Sequence, residues 1–210
     1  MCPFYLPELL KTHFQYGIYL CIRLKERLGK QLVYFTSDLH FHHENIIRHT
    51  KRPFQNIEQM DQTLIKNWNQ LVGFQDEVYI LGDFTMKGST LAMEILSELK
   101  GTKHLIRGNH DRFVDDPSFN QSLFASIQDY AEVEVYNTKF ILFHYPILEW
   151  NGFFRGSFCL HGHQHNHWDY NEQNRRQGIL RYDVGVDANN MRPIGAEEII
   201  SFFNSPLLQN

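Results

Sequence analysis

The side chains that could bind a metal ion or transfer a proton follow short apolar runs in this sequence. Residues 104–106 lead into Gly108, Asn109, His110 and Asp111. Four further runs end in the same way: residues 33–35 precede Asp38 and His40, residues 78–81 precede Asp83, residues 140–143 precede His144, and residues 158–160 precede His163 and His165. Carboxylates, imidazoles and carboxamides serve as metal ligands and acid–base groups. The pattern therefore indicates a metal site that supports proton transfer.

The apolar runs predict β-strands that deliver these side chains to one place. Each run is short and rich in β-branched and aromatic residues, which favours a strand over a helix. In α/β sheets, ligands bind in the crevice at the carboxyl ends of the strands. A single Asp or His at a strand end is commonly a cap or a surface group, but a series of such strand ends predicts convergence on one site.

The ordered motifs Asp-x-His, Gly-Asp, Gly-Asn-His-Asp, His and Gly-His-x-His resemble those of the calcineurin-like metallophosphoesterases. The resemblance extends over residues 32–203. The chain is also similar to a small bacterial and phage branch of the family. That branch carries the motif Ser-Asp-x-His-Phe-x-His-x-Asn-Ile-Ile and later Val-Gly-Val-Asp, here residues 37–47 and 184–187. The resemblance implies an α/β fold in which two packed mixed β-sheets are flanked by helices, an α-β-β-α sandwich.

The resemblance also implies seven ligands for two divalent metal ions. They are Asp38, His40 and His165 at the first ion, Asn109, His144 and His163 at the second, and Asp83 as the bridge between the two. This mixture of imidazole, carboxylate and carboxamide favours Mn over Mg, with Fe and Zn as alternatives. Two divalent cations and two carboxylates leave a net charge of about +2, which suits an anionic phosphate ester.

We therefore expect a metal-dependent hydrolase that cleaves phosphomonoesters or phosphodiesters by attack of a metal-bridging hydroxide. Its expected partner is a small phosphorylated substrate. Two alternatives stay open: a catalytically idle protein-interaction scaffold of the same fold, and a nuclease. The formal net charge of −4 argues against broad binding to nucleic acid. The pattern predicts no oligomeric state.

His110 is the candidate catalytic residue. In the family this position faces the substrate as a general acid or an oxyanion partner, and histidine titrates near neutrality. Asp111 could either orient His110 or cap the loop. Many family members supply an acidic partner for this histidine through Gly-Asp-x-x-Asp, whereas Met86 stands at the last position here. His110 therefore lacks the acidic partner that the family pattern implies.

Other polar residues near the motifs are weaker candidates. His43 could contact the substrate or a carboxylate behind the ligands, and His42 replaces the glycine that is usual in this branch. We leave the following residues out of the site, as solvated charges or surplus histidines: Lys51, Arg52, Arg112, His161 and His167.

Length and composition bound the domain organisation. The chain has 210 residues, of which 42% are hydrophobic, so one domain with a sizeable core is expected. We expect residues 31–210 to form the catalytic domain and residues 1–30 a helical extension. The role of that extension stays open between an added helix on the core, a dimer arm, a membrane-surface anchor and translated upstream sequence.

Cysteine usage and the absence of a targeting pattern predict a cytoplasmic, reducing setting. The three cysteines, Cys2, Cys21 and Cys159, are scattered and form neither a disulfide framework nor a zinc motif. No stretch has the order of a secretory leader or the length of a membrane span. Cys159 lies in an apolar run and is expected to be buried.

Helical spacing places helices between the first strands. A short helix is predicted over residues 45–49, a second from Asn56 with Gln59 as its capping-box partner, and a third from Ser89 to a stop at Gly101. The first half thus has the order β-α-β-α-β, which is typical of parallel strands. In the second half we predict a hairpin turn at residues 137–138, a strand at 180–186 and a helix at 195–203. Residues 169–178 are expected to form a polar loop.

Overall fold

A computed structural model describes residues 30–206. The predicted N-terminal helix lies, except for Lys30, outside the described residues and stays a prediction. The described helices are α1 (Glu44–His49), α2 (Ile57–Leu71), α3 (Ser89–Glu98), α4 (Trp168–Arg176) and α5 (Ala196–Asn204). The described strands are β1 (Val33–Thr36), β2 (Glu77–Ile80), β3 (Thr102–Ile106), β4 (Ser126–Gln128), β5 (Tyr130–Val135), β6 (Thr138–Phe143), β7 (Phe158–His161), β8 (Arg181–Asp183) and β9 (Ile194–Gly195).

The strands form two mixed sheets. The first has the order β4-β3-β2-β1-β9, in which β1 to β4 are parallel and β9 is antiparallel to β1. The second has the order β5-β6-β7-β8, in which only β5 is antiparallel to its neighbour. The predicted β-α-β-α-β order is confirmed, because α1 and α2 connect β1 to β2 and α3 connects β2 to β3.

Alternating side chains of β1 show how the sheets are layered. Tyr34 lies in the same hydrophobic cluster as Trp68 of α2 and Leu96 of α3, on one face of the first sheet. Phe35 points to the opposite face, where its ring centroid lies 5.2 Å from that of Phe140 in the second sheet. Successive residues of a strand face opposite sides, so β1 contributes to the helix layer and to the layer between the sheets. The predicted α-β-β-α sandwich is confirmed.

The starts and ends of the first helices follow their capping groups. Asn56 Oδ1 accepts the N–H of Gln59 at 2.9 Å, as predicted, but the Gln59 side chain accepts the N–H of Gln55 instead of completing the capping box. The predicted stop of α3 at Gly101 is wrong. The helix ends at Glu98 because Leu99 is already extended, with ψ of 127°. Gly101, with φ of +85°, directly precedes β3.

The predicted polar loop at residues 169–178 is wrong, because most of it forms α4. The buried face of this helix carries amides in place of apolar groups. Asn171 exchanges hydrogen bonds with the backbone of Asp183, at 3.1 Å and 2.7 Å, and Asn174 accepts from Arg181 at 3.3 Å. An amide-lined inner face has no hydrophobic periodicity, so the pattern that predicts amphipathic helices did not apply.

The predicted hairpin is present, but its turn lies one residue earlier than expected. Tyr136 and Asn137 occupy the central positions with φ of 51° and 58°, and Val135 pairs with Thr138. Positive φ at both central positions is the geometry of a type I′ turn. The predicted strand at 180–186 is shortened to β8, because Asp183 Oδ1 accepts the N–H of Gly185 at 2.8 Å and the chain bends there.

Candidate metal centre

The carboxyl ends of five strands converge on one cluster of polar side chains. Asp38 and His40 follow β1, Asp83 follows β2 and Asn109 follows β3 in the first sheet, while His144 follows β6 and His163 and His165 follow β7 in the second. Six of these residues form two groups, Asp38 with His40 and His165, and Asp83 with His144 and His163. Within each group, one ligand atom from each residue lies within 4.8 Å of the others. Asn109 joins the second group, with Oδ1 3.1 Å from His144 Nε2.

Asp83 belongs to the second group and also lies close to the first. Its Oδ2 is 3.5 Å from His40 Nε2, and its Oδ1 is 3.7 Å from His144 Nε2. The two oxygens of this buried carboxylate therefore face different histidines. This is the arrangement that a bridging ligand requires.

Several candidate ligands have strained backbone conformations. Five of the seven candidate ligands have φ between +50° and +72°: Asp38, His40, Asp83, His163 and His165. Residues other than glycine rarely adopt this left-handed region, at a cost of about 1–3 kcal/mol each. Such strain persists only where the surrounding fold enforces it, and it is typical of functional sites.

Two glycines make room for the ligands. A Cβ at Gly162 would overlap the Ser37 side chain and the Asp38 carboxylate. A Cβ at Gly82, which has φ of +89°, would lie 2.5 Å from His144 Nδ1. Larger residues would therefore displace Asp38 or His144 at these positions.

The polar atoms of the cluster face one another in a way that fits bound cations. His144 Nδ1 donates to the carbonyl of Leu81 at 2.8 Å, so its Nε2 carries a lone pair in the neutral imidazole. That lone pair faces Asn109 Oδ1 and Asp83 Oδ1, which are acceptors as well. His40 Nε2 is buried with no hydrogen-bond partner among the described residues. Acceptor atoms that face one another repel, and a cation between them would replace this repulsion with attraction.

Burial also sets the protonation of the ligands. It raises the pKa of Asp38 to about 8 and lowers the pKa values of His40 and His144. Both imidazoles are therefore neutral near pH 7, which is the form that binds a metal. The raised pKa of Asp38 reflects a buried carboxylate that a nearby cation would stabilise in its charged form.

His110 lies at the open side of the cluster. Its backbone N–H donates to Asp83 Oδ1 at 3.0 Å, and its partly exposed Nε2 is 3.9 Å from Asp83 Oδ2. The Asp111 carboxylate accepts the backbone N–H groups of Gly108, Asp83 and Phe84 at 2.8–2.9 Å. Of the two roles left open for Asp111, the structure therefore supports the loop cap.

The prediction that Arg52 is a solvated charge is wrong. Its side chain is fully buried and forms a two-pronged ion pair with Asp187, at 2.9 Å and 2.8 Å. Asp187 Oδ2 also pairs with His165 Nδ1 at 2.9 Å. Sequence reasoning missed both residues as part of the site, although Asp187 ends the Val-Gly-Val-Asp motif. Nothing local to residue 52 signals a carboxylate 135 residues away.

The remaining histidines near the motifs belong to neither of the two groups. His43 Nδ1 lies 3.3 Å from His40 Nδ1, and His42 Nδ1 is 3.0 Å from Asp61. His161 is buried and contacts the Tyr170 hydroxyl at 3.2 Å, outside both groups. Lys51 and Arg112 are exposed, as predicted, and His167 is exposed as well.

Known proteins resemble this chain over most of its length. A family model for calcineurin-like phosphoesterases matches residues 32–192. An uncharacterized protein of Methanocaldococcus jannaschii is 37% identical over 177 residues, which cover 82% of this chain and 92% of that protein. The Gene 66 protein of Mycobacterium phage L5 is 28% identical over 200 residues, covering 81% and 93% respectively.

The fold also resembles that of a solved structure. The crystal structure of an Aquifex aeolicus protein of unknown function superposes with a TM-score of 0.65 at 26% identity, and the match covers 82% of this chain and all of that one. Among residues 30–206, no helix combines the length and apolar character that crossing a membrane requires.

Proposed function

The chain belongs to the calcineurin-like phosphoesterase family, and on that premise we propose that it hydrolyses phosphomonoesters or phosphodiesters with two divalent cations, Mn being favoured over Fe and Zn. The observation that carries this proposal is the position of Asp83, whose two oxygens face His40 and His144 at 3.5 Å and 3.7 Å. One carboxylate shared by two groups of ligands is what a pair of adjacent cations needs. Such a pair lowers the pKa of a bound water and stabilises the attacking and leaving oxygens of a phosphate ester.

We assign the seven ligands to two positions. Asp83 would contact both ions, and the residues that would complete the two sets are Asp38, His40 and His165 on one side and Asn109, His144 and His163 on the other. The neutral forms of His40 and His144, favoured by burial, leave their lone pairs free for this role. Mixed nitrogen and oxygen donors support Mn, Fe or Zn over Mg.

The exposure of the cluster supports entry of a phosphate from one side. Asp38, His40, Asp83 and His144 are buried, whereas Asn109 and His163 are exposed and His110 is partly exposed. We propose that the ester approaches over this side, and that the His110 imidazole donates a proton to the leaving oxygen. Its backbone is held by Asp83 Oδ1, which fixes it beside the reacting group.

The proposal is tested by stripping the full chain with EDTA and restoring it with Mn²⁺, Fe²⁺, Zn²⁺ or Mg²⁺. Elemental analysis should find about two ions per chain after reconstitution. Turnover of p-nitrophenyl phosphate and of bis(p-nitrophenyl) phosphate should be lost with EDTA and restored by Mn²⁺. The ratio of the two rates separates a monoesterase from a diesterase, and cleavage of single-stranded DNA would identify a nuclease.

Asp83→Asn is the sharpest variant, because an amide cannot give two anionic oxygens to two ions. We expect it to lose both ions and turnover together. Asp115→Asn is the matched control, since it neutralises an exposed carboxylate that pairs with Arg107. A wild-type chain that holds no metal and turns over neither ester would contradict the proposal and favour an idle scaffold.

A further inference from the structure

The guanidinium of Arg52 is the most completely bonded charged group near the cluster. Its Nε–H and one Nη2–H donate to the two carboxylate oxygens of Asp187, at 2.9 Å and 2.8 Å. The other N–H groups reach the carbonyl of Asp38 at 2.6 Å, the carbonyl of Leu39 at 3.0 Å and the sulfur of Met60 at 3.4 Å. All five N–H donors of the side chain are thus used, so the group has one orientation only.

This guanidinium reaches two ligands of the same metal position by different routes. It holds Asp38 through the backbone carbonyl, at a residue whose φ of 55° is strained. It holds His165 through Asp187, whose Oδ2 accepts from His165 Nδ1 at 2.9 Å. When Nδ1 donates this proton, Nε2 carries the lone pair of the neutral His165 ring, and His165 forms one group with Asp38 and His40.

The second metal position has a different support. There His144 Nδ1 donates to a neutral backbone carbonyl, that of Leu81, at 2.8 Å. A carboxylate behind a ligand histidine raises the basicity of the ring more than a carbonyl does. Asp187 is buried, and its two oxygens pair with the Arg52 guanidinium at 2.9 Å and 2.8 Å. The two positions therefore differ in their supports, and the hydrogen bonds of Arg52 and Asp187 reach candidate ligands of the first position, Asp38 and His165.

We infer that Arg52 and Asp187 are positioning residues for the first metal position, where they fix the backbone of Asp38 and the tautomer of His165. This inference rests on the proposed metal-dependent function. Arg52 and Asp187, which lie 135 residues apart in the sequence, would then set the affinity for one of the two ions. Loss of the pair should affect that ion and spare the other.

The test is a Mn²⁺ titration of the metal-free full chain by calorimetry and electron paramagnetic resonance, for wild type, Asp187→Asn and Arg52→Lys. Asp187→Asn keeps the shape and removes the charge, and Arg52→Lys keeps the charge and removes the fork. We expect one of two binding steps to weaken about 10–100-fold in Asp187→Asn, with a smaller loss in Arg52→Lys. In these two variants, the resonance of a spin-coupled Mn²⁺ pair should disappear at one Mn²⁺ per chain. His165→Ala identifies which step belongs to the first position.

Arg192→Met is the matched control, because it breaks an arginine–carboxylate pair of 2.8 Å, with Glu198, away from the cluster. It should leave both binding steps unchanged. Equal weakening of both steps, or no weakening of either, in Asp187→Asn would overturn the inference. If Asp187→Asn does not fold, Arg52→Lys decides by the same criteria. A wild-type chain that binds no Mn²⁺ would instead overturn the proposed function, and this inference with it.

Discussion

The carboxylate of Asp111 holds the backbone N–H of Asp83 at 2.9 Å, and so joins the loop after β3 to the loop that carries the candidate bridging ligand. The same carboxylate accepts from Phe84 and Gly108, at 2.8 Å each. Asp83 returns a contact, because its Oδ1 accepts the N–H of His110 at 3.0 Å. The loops that present Asp83, Asn109 and His110 are therefore one hydrogen-bonded unit.

Removing this cap should destabilise the fold. Asp111→Ala leaves three backbone N–H groups without this acceptor, two of them buried, at a cost that we expect to total roughly 2–4 kcal/mol in the free energy of unfolding. Asp111→Asn keeps one acceptor oxygen and should lose less. Urea unfolding of the metal-free chain, followed by circular dichroism, measures both. Asp115→Ala is the control, since its carboxylate is exposed and its loss should cost less than about 0.5 kcal/mol. An Asp111→Ala variant as stable as that control would refute the capping role.

His110→Ala should keep the metal ions and slow turnover. The side chain is partly exposed and 3.9 Å from Asp83, so its loss leaves the candidate ligands in place. Loss of general acid catalysis lowers kcat about 10²–10⁴-fold. Metal content by elemental analysis and the pH profile of kcat are the two measurements, with the exposed His167→Ala as control. Release of a metal ion from His110→Ala would mean that His110 is a ligand.

Gly162→Ala should damage the site through contact alone. The added Cβ would overlap Ser37 and the Asp38 carboxylate. We expect a loss of roughly 1–3 kcal/mol in the free energy of unfolding from overpacking, and at least about tenfold weaker Mn²⁺ binding because Asp38 is displaced. Gly88→Ala is the control, since a Cβ there meets no atom within 4 Å. Unchanged Mn²⁺ affinity in Gly162→Ala would show that Asp38 is not held where the ion binds.

Cys159 should be unreactive in the folded chain and should make stability depend on pH. Burial raises the pKa of its thiol from 9.0 to about 12. The unfolded thiol ionises first, so the stabilising contribution of this group is complete below pH 9 and is lost as the pH rises from 9 toward 12. Iodoacetamide at pH 8.5 should label residue 159 at least ~100-fold more slowly in buffer than in 6 M urea, by peptide mass spectrometry. Equal rates would mean that β7 is open to solvent.

Local pattern was enough to predict the strands and the polar residues at their ends. A buried strand has to be apolar and has to stop where polar groups begin. The apolar runs before Asp38, Asp83 and His144 therefore predict that these residues stand at strand ends. Local pattern failed where the partner of a side chain is polar. The inner face of α4 is made of Asn171 and Asn174, whose hydrogen bonds to Asp183 and Arg181 leave no apolar stripe to detect.

The sequence by itself determined which residues could bind metal, the strand ends on which they stand, and the family that their order indicates. Only the tertiary structure decided that Asp83 lies close to both groups of candidate ligands, that Asp111 caps the loops, and that Arg52 is buried against Asp187. The physical reason is that hydrophobic periodicity shows which face of a strand or helix is buried but does not identify the residues that it contacts. The burial of a charge depends instead on an opposite charge brought near by the fold, here from 135 residues away.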